Sequence, residues 1–207
     1  MKITVIGAGN MAAGFVKQLT KAGHLVYIVG RDAGKSKALA KQFGAKTTEP
    51  AKAAGADVII LATAYGDAVN ALRALGNLDG KVIIDITNPL SADYMSLTLG
   101  HVTSAAEEIA NAFPGVRLVK AFNTIFAQVL AAGPELAGST VPVFIAADDA
   151  SAKETVSTVV HSLGFSAIDA GGLKNARYLE PLGGLNIYFG YGAGLGTTIA
   201  PTWLINK

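Results

Sequence analysis

Gly7, Gly9 and Ala12 follow the apolar run KITVI (2–6) in the spacing G-x-G-x-x-A. That spacing suits a pyrophosphate. The first glycine permits a tight turn, the second lets the backbone approach the anion, and a small third residue lets a helix pack close to the strand. The stretch NMAAGFVKQLTKAG (10–23) reads as the helix that follows, closed by Gly23. Its first free N–H groups then face the phosphate. A glycine triplet alone is weak evidence. Its place between a strand and a helix gives it weight.

About twenty residues on, the stretch IVGRDAGKSK (28–37) holds the second chemical feature. The strand HLVYIV (24–29) ends at Val29, where an Asp or Glu would bind the ribose 2′-hydroxyl of NAD. Gly30 offers no carboxylate, and Asp32 comes two residues late. Arg31 can fork onto a phosphate, and Lys35 can add a point charge. Cations are disfavoured at a helix start by its dipole, so their presence there asks for an anion. The cluster therefore predicts NADP(H) rather than NAD(H), with Asp32 a bystander.

Ligands of such folds lie beyond the carboxyl ends of the strands. LATAYGDA places Thr63, Ala64 and Tyr65 there; DITNPL places Thr87, Asn88 and Pro89; KAFNTI places Asn123 and Thr124. DAGGLKNARYLEP, with Leu173, follows the last strand. These groups are small or neutral and suit a nicotinamide ring with a flat partner above it. No acid–base machinery stands out. His24 starts a strand and His161 lies on a helix, both away from the carboxyl ends of strands, so both are read as structural or solvated. His101 sits in the polar loop 91–104, a candidate flap. Lys120 is read as a surface or ion-paired lysine, because lysines are usually solvated. Lys174 and Asn175 are left unassigned. Asp148 and Asp149 are expected to open the helix after them rather than bind metal. No Ser–His–Asp pattern and no metal-ligand cluster is present in the sequence, so neither a catalytic side chain nor a metal is assigned.

The elements that must position these groups alternate. Strand-like runs at 57–62, 81–86, 116–122, 141–147 and 166–170 are separated by helical stretches at 35–43, 66–75, 105–113 and 151–164. Near-continuous apolar runs such as DVIILA are expected of strands covered on both faces. The alternation predicts an α/β fold, a parallel sheet wrapped by helices. Residues 1–147 are expected to form the nucleotide-binding domain. Residues 148–207 are expected to form a small part packed on it, too short to hold a core alone.

The 207 residues carry 17 basic and 15 acidic side chains, a formal charge of +2. So even a balance argues against a nucleic-acid partner. Cysteine is absent, which excludes disulfides and thiolate metal sites. Only 15% of residues are charged and mean hydropathy is +0.40. Pro181 to Asn206 carries no charge at all, but its glycines break any apolar helix, so a subunit interface is expected rather than a membrane span. With no secretory signal ahead of the first strand, the expectation is a cytoplasmic homodimer joined through this region.

In order, IGAGNMAAGF, VGRDAGKSKALA, LATAYGDA, KAFNT and DAGGLKNARYLEP resemble the NADPH-dependent reductases of the deazaflavin coenzyme F420. The chain is also similar to the cytosolic domain of membrane-bound metalloreductases, for which AFNT is the best match. The resemblance covers nearly the whole chain. It implies a Rossmann-type doubly wound sheet with a small C-terminal helical cap or interface element. It implies hydride transfer between NADP(H) and a planar deazaflavin or flavin co-substrate, which needs positioning more than an acid or base. By matching motifs, Ala8, Gly9, Asn10 and Met11, with Gly7, hold the pyrophosphate region. Gly30, Arg31 and Lys35 surround the 2′-phosphate, and Thr63, Ala64, Tyr65, Asn88 and Pro89 lie on the nicotinamide side. Asn123, Thr124 and Leu173 form the candidate acceptor pocket. Two positions depart from the family: Gly30 replaces a serine, and Tyr65 stands where tryptophan is frequent. Competing readings are a reductase of a small carbonyl or imine, whose relatives add a long helical domain, and a non-catalytic NADP(H)-binding regulatory protein.

Overall fold

Burial on both faces makes strands of the apolar runs. VIIL and VIID are buried at every position, and side chains alternate between two core layers across the sheet. The computed structural model describes residues 1–203. Its elements run β1 (Lys2–Ile6), α1 (Asn10–Lys21), β2 (Leu25–Val29), α2 (Ala33–Phe43), β3 (Lys46–Thr47), α3 (Pro50–Ala53), β4 (Val58–Leu61), α4 (Tyr65–Arg73) and β5 (Val82–Asp85). Then come α5 (Ala105–Ala112), β6 (Arg117–Lys120), α6 (Ala127–Ala132), a small hairpin of β7 (Glu135–Leu136) and β8 (Ser139–Thr140), and β9 (Pro142–Ile145). The chain continues through α7 (Ala150–Ser162), β10 (Ser166–Asp169), a 3₁₀ turn at Leu173–Asn175, α8 (Ala176–Ile187) and a π-type turn at Tyr188–Gly192.

The main sheet is parallel with order β3-β2-β1-β4-β5-β6. The chain moves outward from β1 to β3, then returns to β4 on the other side of β1. That reversal opens a crevice at the carboxyl ends of β1 and β4, the position where such folds take ligands. One feature departs from the expected all-parallel pattern. The parallel pair β9–β10 joins β6 through an antiparallel bridge between Lys120 and Ala146, so the sheet edge is extended in the reverse sense. Val156, Val159, Val160 and Phe165 share the same core cluster as β1 and α1.

The helices are terminated as their sequences dictate. Asp32 caps α2 by accepting from the Lys35 N–H at 3.0 Å, which gives the bystander of the basic cluster a structural task. Gly44 closes the same helix in a left-handed conformation. Ser104 caps α5 and bonds Glu107. Arg177 of α8 then forks onto Glu107 at 2.8 and 2.6 Å, and this pairing holds the Glu107 carboxyl below its ordinary range. Asp149 caps α7, as the sequence suggests, but Asp148 does not. Its carboxylate accepts from the Leu173 N–H and ties the 3₁₀ turn to the end of β9.

Candidate functional site

Gly7 leaves β1 at φ +121°, and its N–H bonds the Val29 carbonyl at 2.7 Å. A Cβ here would strike the Ala62 carbonyl, so only glycine lets the turn pass β4. Gly9 is the N-cap of α1 and has no side chain to bond the orphan N–H groups of the first turn. Nothing lies within 4 Å of where its Cβ would be. The result is an uncapped helix start, with no acidic residue in its first turn, facing open space. An anion is what that arrangement can accept.

A cavity of about 910 Å³ opens from this point. Gly9, Asn10 and Met11 form one end, and Thr63, Ala64 and Tyr65 form the wall after β4. Thr87 and Asn88 follow β5, and Asn123 and Thr124 follow β6. The strand ends therefore bring together residues that lie up to 115 positions apart in the chain. Gly7 and Ala8 lie behind the lining, in the turn itself. Pro89 is buried beside it, and its carbonyl accepts from the Thr98 N–H and hydroxyl, so it fastens the flap. Leu173 is outside the lining. It is buried in the core layer under α4 and α5, where Ala176 also sits.

Phe122 explains how Asn123 and Thr124 turn inward. Its backbone is left-handed at φ +61°, a costly conformation for an aromatic residue. Its ring is held edge-on between Phe15, at 5.0 Å, and Phe165, at 6.3 Å. Packing of the ring thus sustains the turn that aims the next two side chains.

Three buried polar atoms on the cavity wall lack a partner: Thr63 Oγ1, Thr87 Oγ1 and Asn123 Oδ1. Asn123 spends its amide N–H groups on Asn88 Oδ1 and the Leu179 carbonyl, so the atom left over is an acceptor. Asn88 Nδ2 in turn donates to the Asn123 carbonyl at 2.8 Å. These atoms leave bonding capacity on the wall that a ligand or an ordered water can complete.

Beneath these residues lies a network that sequence reasoning missed. Lys120 is fully buried rather than at the surface. Its Nζ lies 2.9 Å from Asp85 Oδ2 and 2.7 Å from Glu180 Oε1, and it donates to the Thr87 carbonyl. Glu180 also accepts from the N–H groups of Ala105 and Ala106, the start of α5, at 2.9 and 3.1 Å. The ion-paired half of the expectation for Lys120 therefore holds, and the surface half is corrected. The sheet register sets Asp85, at the end of VIID, opposite Lys120, at the end of RLVK.

The loop 91–104 contributes Asp93, Tyr94, Met95 and Thr98 to the cavity wall. It is organised by a bridge between Leu90 and Leu97 and by Ser91, which bonds Asp93 and Ser96. From α8 and the π-type turn come Gly183, Asn186, Ile187 and Tyr191. Tyr65 has its phenol pushed above its ordinary range, first by burial and then by the charges of Glu108, Glu180 and Asp85. It stays protonated near neutral pH, a donor rather than a base. The histidines stand apart. His24 bonds Ser162 and the chain's amino group, and neither His161 nor His101 lines the cavity.

Beyond β2, Arg31 and Lys35 are exposed, and Gly30 lines a second cavity of about 450 Å³ with Ser36, Lys37 and Thr48. A serine at position 30 would press its Cβ onto the hydroxyl of buried Ser36. Gly30 and Ser36 are thus fitted to each other, which accounts for the departure at position 30. Arg31 is paired with Asp67, in the first turn of α4, at 3.0 and 3.3 Å.

The geometry can be set beside known proteins. The family model described as NADP oxidoreductase, coenzyme F420-dependent, matches residues 2–89. The F420-dependent NADP reductase of Methanothermobacter thermautotrophicus is 32% identical over 204 residues, covering 88% of this chain and 86% of the relative. The chain belongs to this family of NADP-dependent oxidoreductases. A crystal structure from Arthrobacter sp. fb24, assigned as an F420-dependent NADP-reductase, superposes with a TM-score of 0.85 at 30% identity, covering 96% of both chains. The chain is also similar to metalloreductase STEAP3 of Rattus norvegicus, 31% identical over 87% of this chain. The chain spans about a third of that relative, 36% of its length. Among the described residues, no helix of this member is long and apolar enough to cross a membrane.

Proposed function

We propose that the protein passes a hydride between NADPH and a planar redox ring of the deazaflavin or flavin type. The observation that carries this reading is one continuous cavity. It runs from an anion-accepting helix start to a floor of neutral, unpaired polar atoms under an aromatic and aliphatic rim. When bound, the dinucleotide supplies the hydride, and its transfer needs stacking and alignment above all.

The residues fit that group. The N–H groups of Asn10, Met11 and Ala12 would face the pyrophosphate, and Arg31 with Lys35 would meet the 2′-phosphate. Asn123 Oδ1 suits an N–H donor, and the hydroxyls of Thr63 and Thr87 can give or accept a bond. A carboxamide, or the imide edge of a flavin-type ring, offers both kinds of partner. The lining holds no histidine and no lysine, and its one carboxylate, Asp93, is on the exposed flap. A small carbonyl would need a proton delivered to it, whereas a ring acceptor open to solvent can take its proton from water. Tyr94, Met95 and Tyr191 would lie against one side of the ring and leave its edge to solvent.

In this reading Tyr65, on the cavity wall after β4, defines the stacking plane. The variant Tyr65→Ala is expected to slow hydride transfer to a flavin-type acceptor by roughly tenfold or more, the scale of a small misplacement. Its NADPH dissociation constant should change far less. Rapid-mixing traces of NADPH absorbance and an equilibrium titration separate the two, and an unchanged transfer rate removes Tyr65 from the site.

A homodimer is part of the same reading. Tyr178, Tyr188, Phe189, Tyr191, Leu195 and Trp203 are exposed on α8 and the segment after it, Tyr178 by 74%. A charge-free stretch with so much exposed aromatic surface suits a partner of its own kind. Its last residues, 204–206, lie outside the described residues.

A further inference from the structure

The pairing of Arg31 with Asp67 has a consequence for cofactor choice that neither residue shows alone. Arg31 follows β2, and Asp67 sits in the first turn of α4, after β4. In the sheet β1 lies between β2 and β4. The ion pair therefore reaches across the carboxyl end of β1, over the side where the Gly7–Gly9 turn begins. Any adenosine moiety laid from that turn toward Arg31 meets it.

The contact is end-on. Both terminal nitrogens of the guanidinium face the two carboxylate oxygens, Nη2 to Oδ2 at 3.0 Å and Nη1 to Oδ1 at 3.3 Å. This is the fork with which arginine would also grip a phosphate. The Arg31 side chain is 88% exposed and that of Asp67 43%, so a ligand can reach the pair from solvent. A phosphate arriving there has two choices. It displaces Asp67, losing the pair, or it settles on the free side of the guanidinium with a carboxylate close by. Either choice weakens the gain from the phosphate. A cofactor without the phosphate faces neither cost. Asp67 also has reason to stay where it is, since a carboxylate in the first turn of α4 is favoured by the helix dipole.

We propose that Asp67 is a specificity-determining residue: it occupies the Arg31 fork in the free protein, competes with the 2′-phosphate for it, and so narrows the preference for NADPH over NADH. The inference rests on the reading of Arg31 as the 2′-phosphate receptor. It adds a residue from a different loop, 36 positions away, acting through Arg31 rather than touching the phosphate as an attractive partner.

The test is a set of dissociation constants for NADPH and NADH, measured by equilibrium titration on four proteins: the unaltered chain, Asp67→Asn, Arg31→Ala and the double variant. Asparagine keeps the size of the side chain and removes its charge. Asp67→Asn should tighten NADPH by roughly three- to tenfold, the scale of one partly exposed ion pair, and raise the ratio of NADH to NADPH constants accordingly. In the Arg31→Ala background the same change should produce no such gain, because the two residues act as one unit. An unchanged or lowered ratio in Asp67→Asn, while Arg31→Ala still collapses the preference, overturns the inference alone. A gain that persists without Arg31 overturns it too, since Asp67 would then act through bulk charge. If Arg31→Ala leaves the ratio untouched, the reading of Arg31 itself falls. Thermal unfolding of Asp67→Asn serves as the folding control, and Asp67→Ala stands in if asparagine disturbs α4.

Discussion

Replacing Lys120 with methionine is expected to cost the fold roughly 3–5 kcal/mol, the scale for removing one partner from a buried ion pair. The ammonium is the cation that Asp85 and Glu180 share at 2.9 and 2.7 Å in a fully buried position. Methionine fills the space but leaves two carboxylates facing one another. Glu180 retains the N–H groups of Ala105 and Ala106, and Asp85 retains that of Thr87. These bonds soften the loss without neutralising the charge. The network ties β5, β6, α5 and α8 together under the cavity, so the loss should appear as a lower unfolding midpoint in urea and a fall of roughly 6–20 °C in Tm. A change below about 1 kcal/mol would show that Lys120 is a spectator. The Thr87 carbonyl also loses its donor, so the floor beside Asn88 should loosen first.

The second large effect concerns Arg31. Arg31→Ala should weaken NADPH binding by about ten- to a hundredfold, the value of a charge-assisted contact to phosphate. NADH should change much less. Two features of the site set the size of this loss. Gly30 brings no hydroxyl to the phosphate, so Arg31 carries more of the contact than it would beside a serine. Asp67 already holds the guanidinium in the free protein, which keeps the loss toward the smaller figure. Lys35 remains as a point charge and keeps the residual affinity above zero. Equal losses for both dinucleotides would place the 2′-phosphate elsewhere.

Much of this molecule is legible in its sequence because strand and helix signals are strong. VIIL, VIID and RLVK are strands because β-branched, apolar residues fill positions buried on both faces, and each begins or ends within two residues of its expected limit. The turn at Gly7 is equally legible, since only a residue without a side chain passes the Ala62 carbonyl. The residues beyond the strand ends are legible as a group, because parallel strands all point their carboxyl ends the same way.

What was hidden depends on register and on contacts between distant segments. Nothing local to Lys120 says that it is dry. Only the pairing of β5 with β6 sets it opposite Asp85, and only the return of α8 brings Glu180 to it. Asp67 looks like an ordinary first-turn carboxylate until α4 is placed beside the loop after β2. Leu173 stands in a motif that follows the last strand, yet it points into the core, because the 3₁₀ turn is pinned by Asp148. The antiparallel seating of β9 against β6 has no counterpart in composition or periodicity. It follows from where the chain re-enters the sheet.

The proposed step is transfer of electrons from NADPH to a planar ring. It is tested most directly by rapid mixing of the protein and NADPH with separate acceptors: the deazaflavin coenzyme, FMN, FAD, a small ketone and a cyclic imine. Fast loss of NADPH absorbance is expected, matched mole for mole by reduction of a ring acceptor, with no comparable reaction of the ketone or the imine. Tight NADPH binding without transfer to any ring, or turnover confined to the ketone or imine, would contradict it.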